Sequence, residues 1–264
     1  MVSRSRWRAG LTGALLLLAG VALVGCGGGS READEVIEQP VEDLYNTAID
    51  LTAARQYVSA AEAFEEVERQ HPYSQWATRS MFMAAYAYYE ARRYDEAILA
   101  ARRFVDLHPG NDNVPYALYL IGMSYYEQIS DVGRDQQMTG DAQRAFTELV
   151  QRFPDTVYAR DARLKLDLVH DHLAGKEMEV GRFYLDRRRY VAAINRFERV
   201  LEDFQTTTHV PEALHRMVEA YTALGVREEA FRYASVLGYN YPGSVWYERT
   251  YALVTDDRLP PIRG

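Results

Sequence analysis

One motif recurs five times along this chain and constrains its fold more than any other feature. In the first copy, Ala60 precedes Phe64 by one helical turn, and Pro72 follows twelve residues after the alanine. Four of the five copies keep that alanine-to-proline spacing, and the fourth copy has Gln205 in the proline position. The later copies begin at Ala97, Ala142, Ala193 and Ala230. Repeats of this length cannot bury an apolar face alone, so the pattern predicts a solenoid of stacked units.

Each copy predicts a pair of helices. The first helix carries a small residue three positions before a large one, as in Ala85 with Tyr88, so that its axis can approach the partner helix closely. The second helix runs from the motif alanine to just before the proline, which cannot donate a backbone amide. Helix N-caps are predicted two residues after three of the prolines, at Ser74, Thr156 and Ser244.

Two departures interrupt the repeat. Polar residues 131–141 are inserted between the helices of the third copy, and a long helical pattern from Tyr158 to Leu173 precedes the fourth. The combination of small and aromatic positions resembles the tetratricopeptide repeat. That resemblance implies an all-α, tetratricopeptide-like solenoid of five helical hairpins, following a lipoprotein signal and a short tether.

The only cysteine ends an export signal. A start containing three arginines precedes an apolar run from Leu11 to Val24, and the cut site reads Leu-Val-Gly before Cys26. This arrangement resembles a bacterial lipobox and predicts a signal peptide over 1–25, acylation of Cys26 and a flexible tether over 26–39. Gly27 after the cysteine favours the outer membrane as the destination, on its periplasmic face. An ordinary cleavable signal with a stray cysteine, or an N-terminal membrane anchor, remains an alternative.

Charge and composition exclude several functions. The formal net charge is −8, and it becomes −11 once residues 1–25 and their three arginines are removed. An acidic body argues against binding to nucleic acid and against electrostatic adhesion to anionic lipid. The histidines have no ligand spacing, and we find no phosphate loop, nucleophile motif or metal motif. We therefore expect no enzyme, no cofactor and no metal site.

Aromatic residues predict where a partner binds. The inner side of a helical-hairpin solenoid is lined by the first helices, and tyrosine offers a peptide broad apolar area together with a hydroxyl. The alternative is that these residues are core between the repeats, or that the repeat alignment is off by one. The predicted groove of copies one to three contains Tyr45, Ile49, Phe82, Tyr86, Tyr89, Tyr116, Tyr119, Met123 and Tyr126. The corresponding positions of copies four and five are Met178, Arg182, Leu185, His215, Glu219 and Thr222.

The whole chain resembles the BamD (ComL) family of outer-membrane β-barrel assembly lipoproteins. The resemblance is carried by the Ala60-to-Pro72 unit, the helix through 173–177 and the stretch from Gly181 to Phe197. It implies a scaffold that binds unfolded β-barrel precursors, docks on a POTRA domain of the BamA channel and joins other lipoproteins of the assembly complex. We accordingly predict a client groove in 40–157, partner docking in 158–254 and a tail over 255–264. The predicted docking residues are Arg182, Arg187, Arg188 and Arg189.

Two other functions remain open from the sequence. Repeat lipoproteins also serve type IV pilus assembly, where they help a secretin reach the outer membrane. A cell-wall enzyme or its regulator is a third class, although it would require a catalytic constellation that the sequence does not display.

Overall fold

The computed structural model describes residues 39–255. The predictions for the signal peptide, for acylated Cys26, for the tether up to residue 38 and for the tail from residue 256 lie outside these residues. Within 39–255 the chain forms eleven α-helices and no strand. They are α1 (Val41–Ala53), α2 (Tyr57–Gln70), α3 (Gln75–Glu90), α4 (Tyr94–Leu107), α5 (Val114–Tyr126), α6 (Gln137–Arg152), α7 (Val157–Asp186), α8 (Tyr190–Asp203), α9 (Val210–Leu224), α10 (Arg227–Asn240) and α11 (Val245–Val254).

The helices pair in chain order into five antiparallel hairpins, from α1/α2 to α9/α10, and α11 covers the end of the stack. The all-α solenoid predicted from the repeats is therefore confirmed. In the described part of the chain, the first helices of consecutive hairpins contact each other, whereas the second helices stay farther apart. A stack that is tighter on one side curves toward that side, so the first helices line its inner face.

Four of the hairpins turn through the same backbone motif. Each turn contains one residue in a left-handed conformation. It directly follows the helix C-cap at Arg55, Arg92 and Arg188, with φ of 58°, and it is the C-cap itself at Gly225, with φ of 78°. In the second hairpin, for example, Arg93 N–H donates to Tyr88 O at 2.9 Å and closes a Schellman turn. Hairpin three lacks this turn because the inserted segment separates its helices.

The links between hairpins also share one geometry. Each second helix is followed by a C-cap residue that is neither helical nor extended, with φ of −129° and ψ of 57° at His71, and the carbonyl of this residue accepts the N–H three positions later, as in Ser74 N to His71 O at 3.0 Å. Thr207 N donates to Phe204 O at 3.1 Å in the same way, so Gln205 keeps the turn without a proline. All three predicted N-caps accept a backbone N–H at 3.1 Å. Four of the second helices begin three residues before the motif alanine, as at Tyr57 in the first copy, and α6 begins five residues before it, at Gln137.

In two hairpins, a phenylalanine ring of the second helix packs directly on a glycine of the first helix. Phe64, Phe146 and Phe197 are fully buried, each one turn after a motif alanine. The rings of Phe146 and Phe197 lie so close to Gly122 and Gly181 that a Cβ on either glycine would overlap them. The predicted close approach of the paired helices is thereby confirmed at these two hairpins.

Helix α7 is 30 residues long and fuses the predicted helix from Tyr158 to Leu173 with the first helix of copy four. Its first half packs against α5 and α6, and its second half against α8 and α9. The insertion of hairpin three is folded onto α7, because Lys176 Nζ donates to Gly133 O at 3.1 Å. Asp131 Oδ1 accepts Gly133 N–H at 2.8 Å and shapes the insertion locally.

Candidate functional site

Six aromatic side chains from three consecutive first helices meet on the inner face. We call this set the tyrosine groove. Ring centroids lie 5.6 Å apart between Phe82 and Tyr116, and 5.0 Å apart between Tyr116 and Tyr158. Tyr119 lies 5.7 Å from Tyr158 and 6.3 Å from Tyr116. The groove consists of Phe82, Tyr86 and Tyr89 on α3, Tyr116 and Tyr119 on α5, and Tyr158 on α7.

The side chains of the groove are neither core residues nor free surface residues. All six are partly buried, and four of them pack against the core, namely Phe82, Tyr89, Tyr119 and Tyr158. Ring centroids are 5.5 Å apart between Phe82 and Phe104, and 6.3 Å apart between Tyr119 and Phe146. The rings therefore combine features of both interpretations from the sequence: one edge is buried, as expected of core residues, and the other is exposed, as expected of groove residues. A ring that is already packed on one edge has few accessible rotamers, so it would lose little side-chain entropy if a ligand bound to it.

Burial and nearby negative charge keep the groove hydroxyls protonated. Burial raises the pKa of Tyr116 to about 12, with further contributions from Tyr86, Tyr158 and Glu90. Burial, followed by Glu127, Tyr94 and Glu90, raises the pKa of Tyr89 to about 12. Burial also raises the pKa of Tyr119, and its hydroxyl donates to Asp161 Oδ2 at 2.6 Å. At neutral pH these tyrosines are therefore uncharged hydrogen-bonding groups on an apolar surface.

Four predicted groove residues lie apart from this cluster, and one of them is Ile49, which is exposed on α1. Tyr45 packs on Trp76 at the first hairpin, with ring centroids 4.6 Å apart. Tyr126 lies beside Phe146 and under Lys165, whose Nζ is 5.0 Å from the ring centroid. Met123 is only 8 % exposed and belongs to the core between hairpins, so it offers little surface to a partner.

Tyr158 is the groove residue that the sequence comparison of repeats missed. It is the second residue of α7 and lies outside every motif copy, in the long helical pattern that precedes the fourth copy. The N-cap at Thr156 fixes where α7 begins, and the signal that could have placed Tyr158 is its position two residues later. It takes the place along α7 that Tyr116 takes along α5, each near the start of its helix.

The four arginines predicted for docking do not form one patch. Arg182 points from α7 to α9, where its Nη1 lies 3.1 Å from Glu212 Oε2. Arg187 lies over the exposed ring of Phe183, 3.5 Å from its centroid. Arg188 occupies the left-handed position of the α7–α8 turn, and Arg189 is the exposed N-cap of α8. Arg187, Arg188 and Arg189 thus form an exposed basic turn, separate from Arg182.

The expectation that Met178 and His215 face the groove is wrong. Met178 is fully buried and packs with Met217, because α9 lies directly against this part of α7. His215 is 4 % exposed because α11 covers it: its Nδ1 lies 2.8 Å from Thr250 Oγ1, and its ring is 5.4 Å from that of Trp246.

An ion-pair network that repeat alignment could not reveal joins α7 to α9, and a cation–π contact extends it to α11. Glu212 accepts from Arg182 and from Arg216, and Arg216 Nη1 donates to Glu219 Oε2 at 2.7 Å. Burial disfavours the charged form of Glu219, but hydrogen bonds from His215 and Arg216 outweigh it and lower the pKa of this carboxyl. The guanidinium of Arg216 also lies 5.4 Å from the ring of Trp246. The charges on this face are therefore satisfied within the chain.

Residues 39–255 contain no cluster of three or more histidine, cysteine or acidic side chains arranged to hold a metal ion. None of the helices in the described range is both long enough and apolar enough to span a membrane.

The stacked hairpins and the aromatic inner face define a helical-repeat protein of the tetratricopeptide type. The family described as YfiO, outer membrane lipoprotein, matches residues 37–237, and the chain belongs to this family. It is 51% identical over 249 residues to the outer membrane protein assembly factor BamD of Caulobacter vibrioides, covering 94% of this chain and 81% of that protein. Identity to the factor of the same name from Rickettsia prowazekii is 46%, over 90% of this chain and 94% of that protein. The protein of the same name from Neisseria meningitidis serogroup A is 36% identical, over 92% of this chain and 95% of that protein.

Solved structures resemble the chain only loosely. The TPR domain of P58(IPK) has a TM-score of 0.43 at 16% identity, over 81% of this chain and 56% of that one. PilW, a type IV pilus biogenesis factor, has a TM-score of 0.36 at 13% identity, over 80% of this chain and 98% of that one. Similarity of this size does not distinguish between functions.

Proposed function

We propose that this protein is a non-enzymatic scaffold of outer-membrane protein assembly, whose tyrosine groove binds unfolded β-barrel precursors. Its relatives are named as outer membrane protein assembly factors, and these names support the assignment to outer-membrane protein assembly. The observation that carries the proposal is the row of half-buried rings shared by α3, α5 and α7. An extended client segment would cross three hairpins and meet aromatic rings at each.

Binding in such a groove combines two kinds of contact. Aromatic or aliphatic side chains of the client pack on the tyrosine rings, and each aromatic pair contributes about 0.5–1.5 kcal/mol beyond the area it buries. The protonated hydroxyls can donate hydrogen bonds to client carbonyls. The proposed scaffold only has to bind and orient the client, so no covalent bond is made or broken. The groove hairpins correspond to the 40–157 region, with Tyr158 added from α7.

The C-terminal hairpins, residues 158–254, would dock on a POTRA domain of BamA. The exposed basic turn of Arg187, Arg188 and Arg189 supports this role, because its guanidinium groups have no acidic partner in the described chain. Arg182 contributes by fixing α9 through Glu212 rather than by free contact. Acylation of Cys26 would hold the protein on the periplasmic face of the outer membrane beside other lipoproteins of the complex, since two or more acyl chains anchor durably.

Peptide binding tests the client site. Replacing Tyr86, Tyr116 and Tyr119 together by alanine should weaken binding of a labelled peptide ending in phenylalanine by about tenfold or more, since each lost ring contact is worth about 0.5–1.5 kcal/mol. Fluorescence anisotropy measures the affinity, and circular dichroism checks that the helices remain. Tyr239→Ala is the matched control, because Tyr239 is 88% exposed and lies on α10, away from the groove. Equal affinity of the triple variant and wild type would contradict the client site.

The same variants, expressed in cells and crosslinked, test docking separately. The tyrosine triple variant should still co-purify with BamA, whereas a variant with glutamate at Arg187, Arg188 and Arg189 should lose it, because like charges then meet at the interface. Co-purification of wild type with a secretin instead of BamA would point to pilus assembly and overturn the proposal.

A further inference from the structure

Three carboxylates border the tyrosine groove, one from each helix that builds it. Glu90 ends α3 one turn after Tyr86 and therefore lies on the same side of the helix. Glu127 is the C-cap of α5, and Asp161 lies on α7 within hydrogen-bonding distance of Tyr119. Glu90 and Glu127 are exposed to solvent. We call Glu90, Glu127 and Asp161 the groove carboxylates.

The groove carboxylates have no cationic partner. In residues 39–255, none of the three forms an ion pair with lysine or arginine, although many other carboxylates of the chain do. The one lysine that reaches this face, Lys165, lies over the ring of Tyr126 instead of bonding to Asp161, its neighbour one turn earlier. The groove is therefore a surface with excess negative charge and no internal compensation.

The negative charge reaches the rings themselves. After burial, which is the largest cause, Glu90 raises the pKa of Tyr86, of Tyr89 and of Tyr116. Glu127, from the neighbouring helix, acts on Tyr89 in the same way. Both carboxylates thus lie near the hydroxyl groups that a bound peptide would meet.

A cationic side chain is the ligand that fits such a surface. The face of a tyrosine ring attracts a positive charge, and a carboxylate beside the ring adds a second attraction of the same sign. The Nζ of Lys165, 5.0 Å from the centroid of the Tyr126 ring, shows that a ring of this same inner face accepts an ammonium group. A peptide cation at Tyr86 or Tyr89 would meet a ring and a carboxylate together.

We propose that the groove selects client segments in which arginine or lysine lies next to an aromatic residue, with Glu90 and Glu127 binding the cation while the rings bind its neighbour. This inference rests on the proposed client site and adds its specificity. The C-terminal half of the inner face offers no equivalent, because the carboxylates Glu212 and Glu219 are already occupied by Arg182 and Arg216.

Matched peptides test the preference directly. Three labelled peptides share one sequence ending in phenylalanine and differ at a single position, which holds arginine, glutamine or glutamate. Wild-type protein should bind the arginine peptide about tenfold more tightly than the glutamine peptide at low salt, and the ratio should shrink as salt screens the charges. The glutamate peptide should bind most weakly, because it meets like charge.

A double variant assigns the preference to named residues. Glu90→Gln with Glu127→Gln should bind the arginine and glutamine peptides about equally, while affinity for the glutamine peptide stays within about twofold of wild type. The control is Glu202→Gln with Glu228→Gln, which removes the same charge at exposed positions on α8 and α10 and should keep the preference. Asp161 is left unchanged because it holds the hydroxyl of Tyr119.

The outcomes separate this inference from the client site. If wild type binds the arginine and glutamine peptides equally well, the cation preference is wrong and the client site stands. If the preference survives in the Glu90 and Glu127 double variant, these carboxylates are not its source and the inference is also overturned. If no peptide binds at all, the client site itself is wrong.

Discussion

The two halves of the inner face treat charge and aromatic surface in opposite ways. On α3, α5 and the start of α7, rings are partly exposed and the carboxylates beside them form no ion pair, although Asp161 accepts the hydroxyl of Tyr119. On the second half of α7, on α9 and on α11, each charged group of the network already has a partner, and Trp246 is covered by Arg216 and Arg249. The first surface presents partly exposed rings and carboxylates without ion-pair partners, whereas the polar contacts of the second surface hold α7, α9 and α11 together.

The largest expected effect tests whether these halves are independent. Phe197→Ala removes a fully buried ring from the α7–α8 pair and should cost about 3–5 kcal/mol of stability. In a solenoid each unit depends chiefly on its neighbours, so hydrogen exchange should quicken in α8 to α11 while peptide affinity stays near wild type.

The matched variant is Phe146→Ala, which removes the equivalent ring beneath Tyr119. It should cost a similar amount but abolish or strongly weaken peptide binding. Equal loss of binding in both variants would show that the halves fold and act as one unit.

A middle-sized effect tests the ion-pair network. Arg216→Ala leaves Glu212 and Glu219 without their shared guanidinium and should cost about 1–2 kcal/mol, between the values for exposed and buried pairs. Because the pKa of Glu219 is lowered in the folded protein, its contribution is present above the ordinary value of 4.5 and is lost as pH falls through the folded value. The difference between wild type and variant should therefore shrink in acid.

Urea denaturation at neutral and acidic pH measures this difference. The control Arg152→Ala breaks a pair with Glu148 in which both side chains are more exposed than Arg216, and it should change stability by less than about 1 kcal/mol. A pH-independent loss in Arg216→Ala would exclude Glu219 as the coupled group.

The smallest expected effect concerns the turns that both halves share. Gly225→Ala places a Cβ at φ of 78° and should cost about 1 kcal/mol, because only glycine adopts this conformation without strain. Gly243→Ala is the control, since a Cβ there meets no atom within 4 Å and its φ is not positive. Thermal denaturation compares the two. A cost at Gly225 no larger than that at Gly243 would mean that the turn tolerates strain in the C-terminal hairpins, as it already tolerates arginine at Arg55 and Arg92.

The sequence predicts most of the fold because the fold is built from local spacings. The distance from Ala60 to Pro72 determines a helix and its end, and the small residue at Gly122 or Gly181 determines how closely the pair packs. Even the fourth copy follows, since Phe204 closes the same turn that prolines accompany elsewhere. None of this requires knowledge of distant residues.

The site was less predictable because it depends on which helices become neighbours. Tyr86, Tyr116 and Tyr119 were found from their repeat positions, whereas Tyr158 joins them only because α7 packs beside α5. His215 was misplaced because α11, which follows the last motif copy, covers it through Thr250.

The unbroken backbone of α7 sets a mechanical limit on the molecule. Its 30 residues span about 45 Å at 1.5 Å per residue as one continuous helix, with no proline between the tyrosine end and the arginine end and with Gly175 and Gly181 both buried. If the proposed client binds near Tyr158 and the proposed partner near Arg187, one continuous helix connects the two sites. A tilt of α7 at one of these sites would then also move the site at its other end.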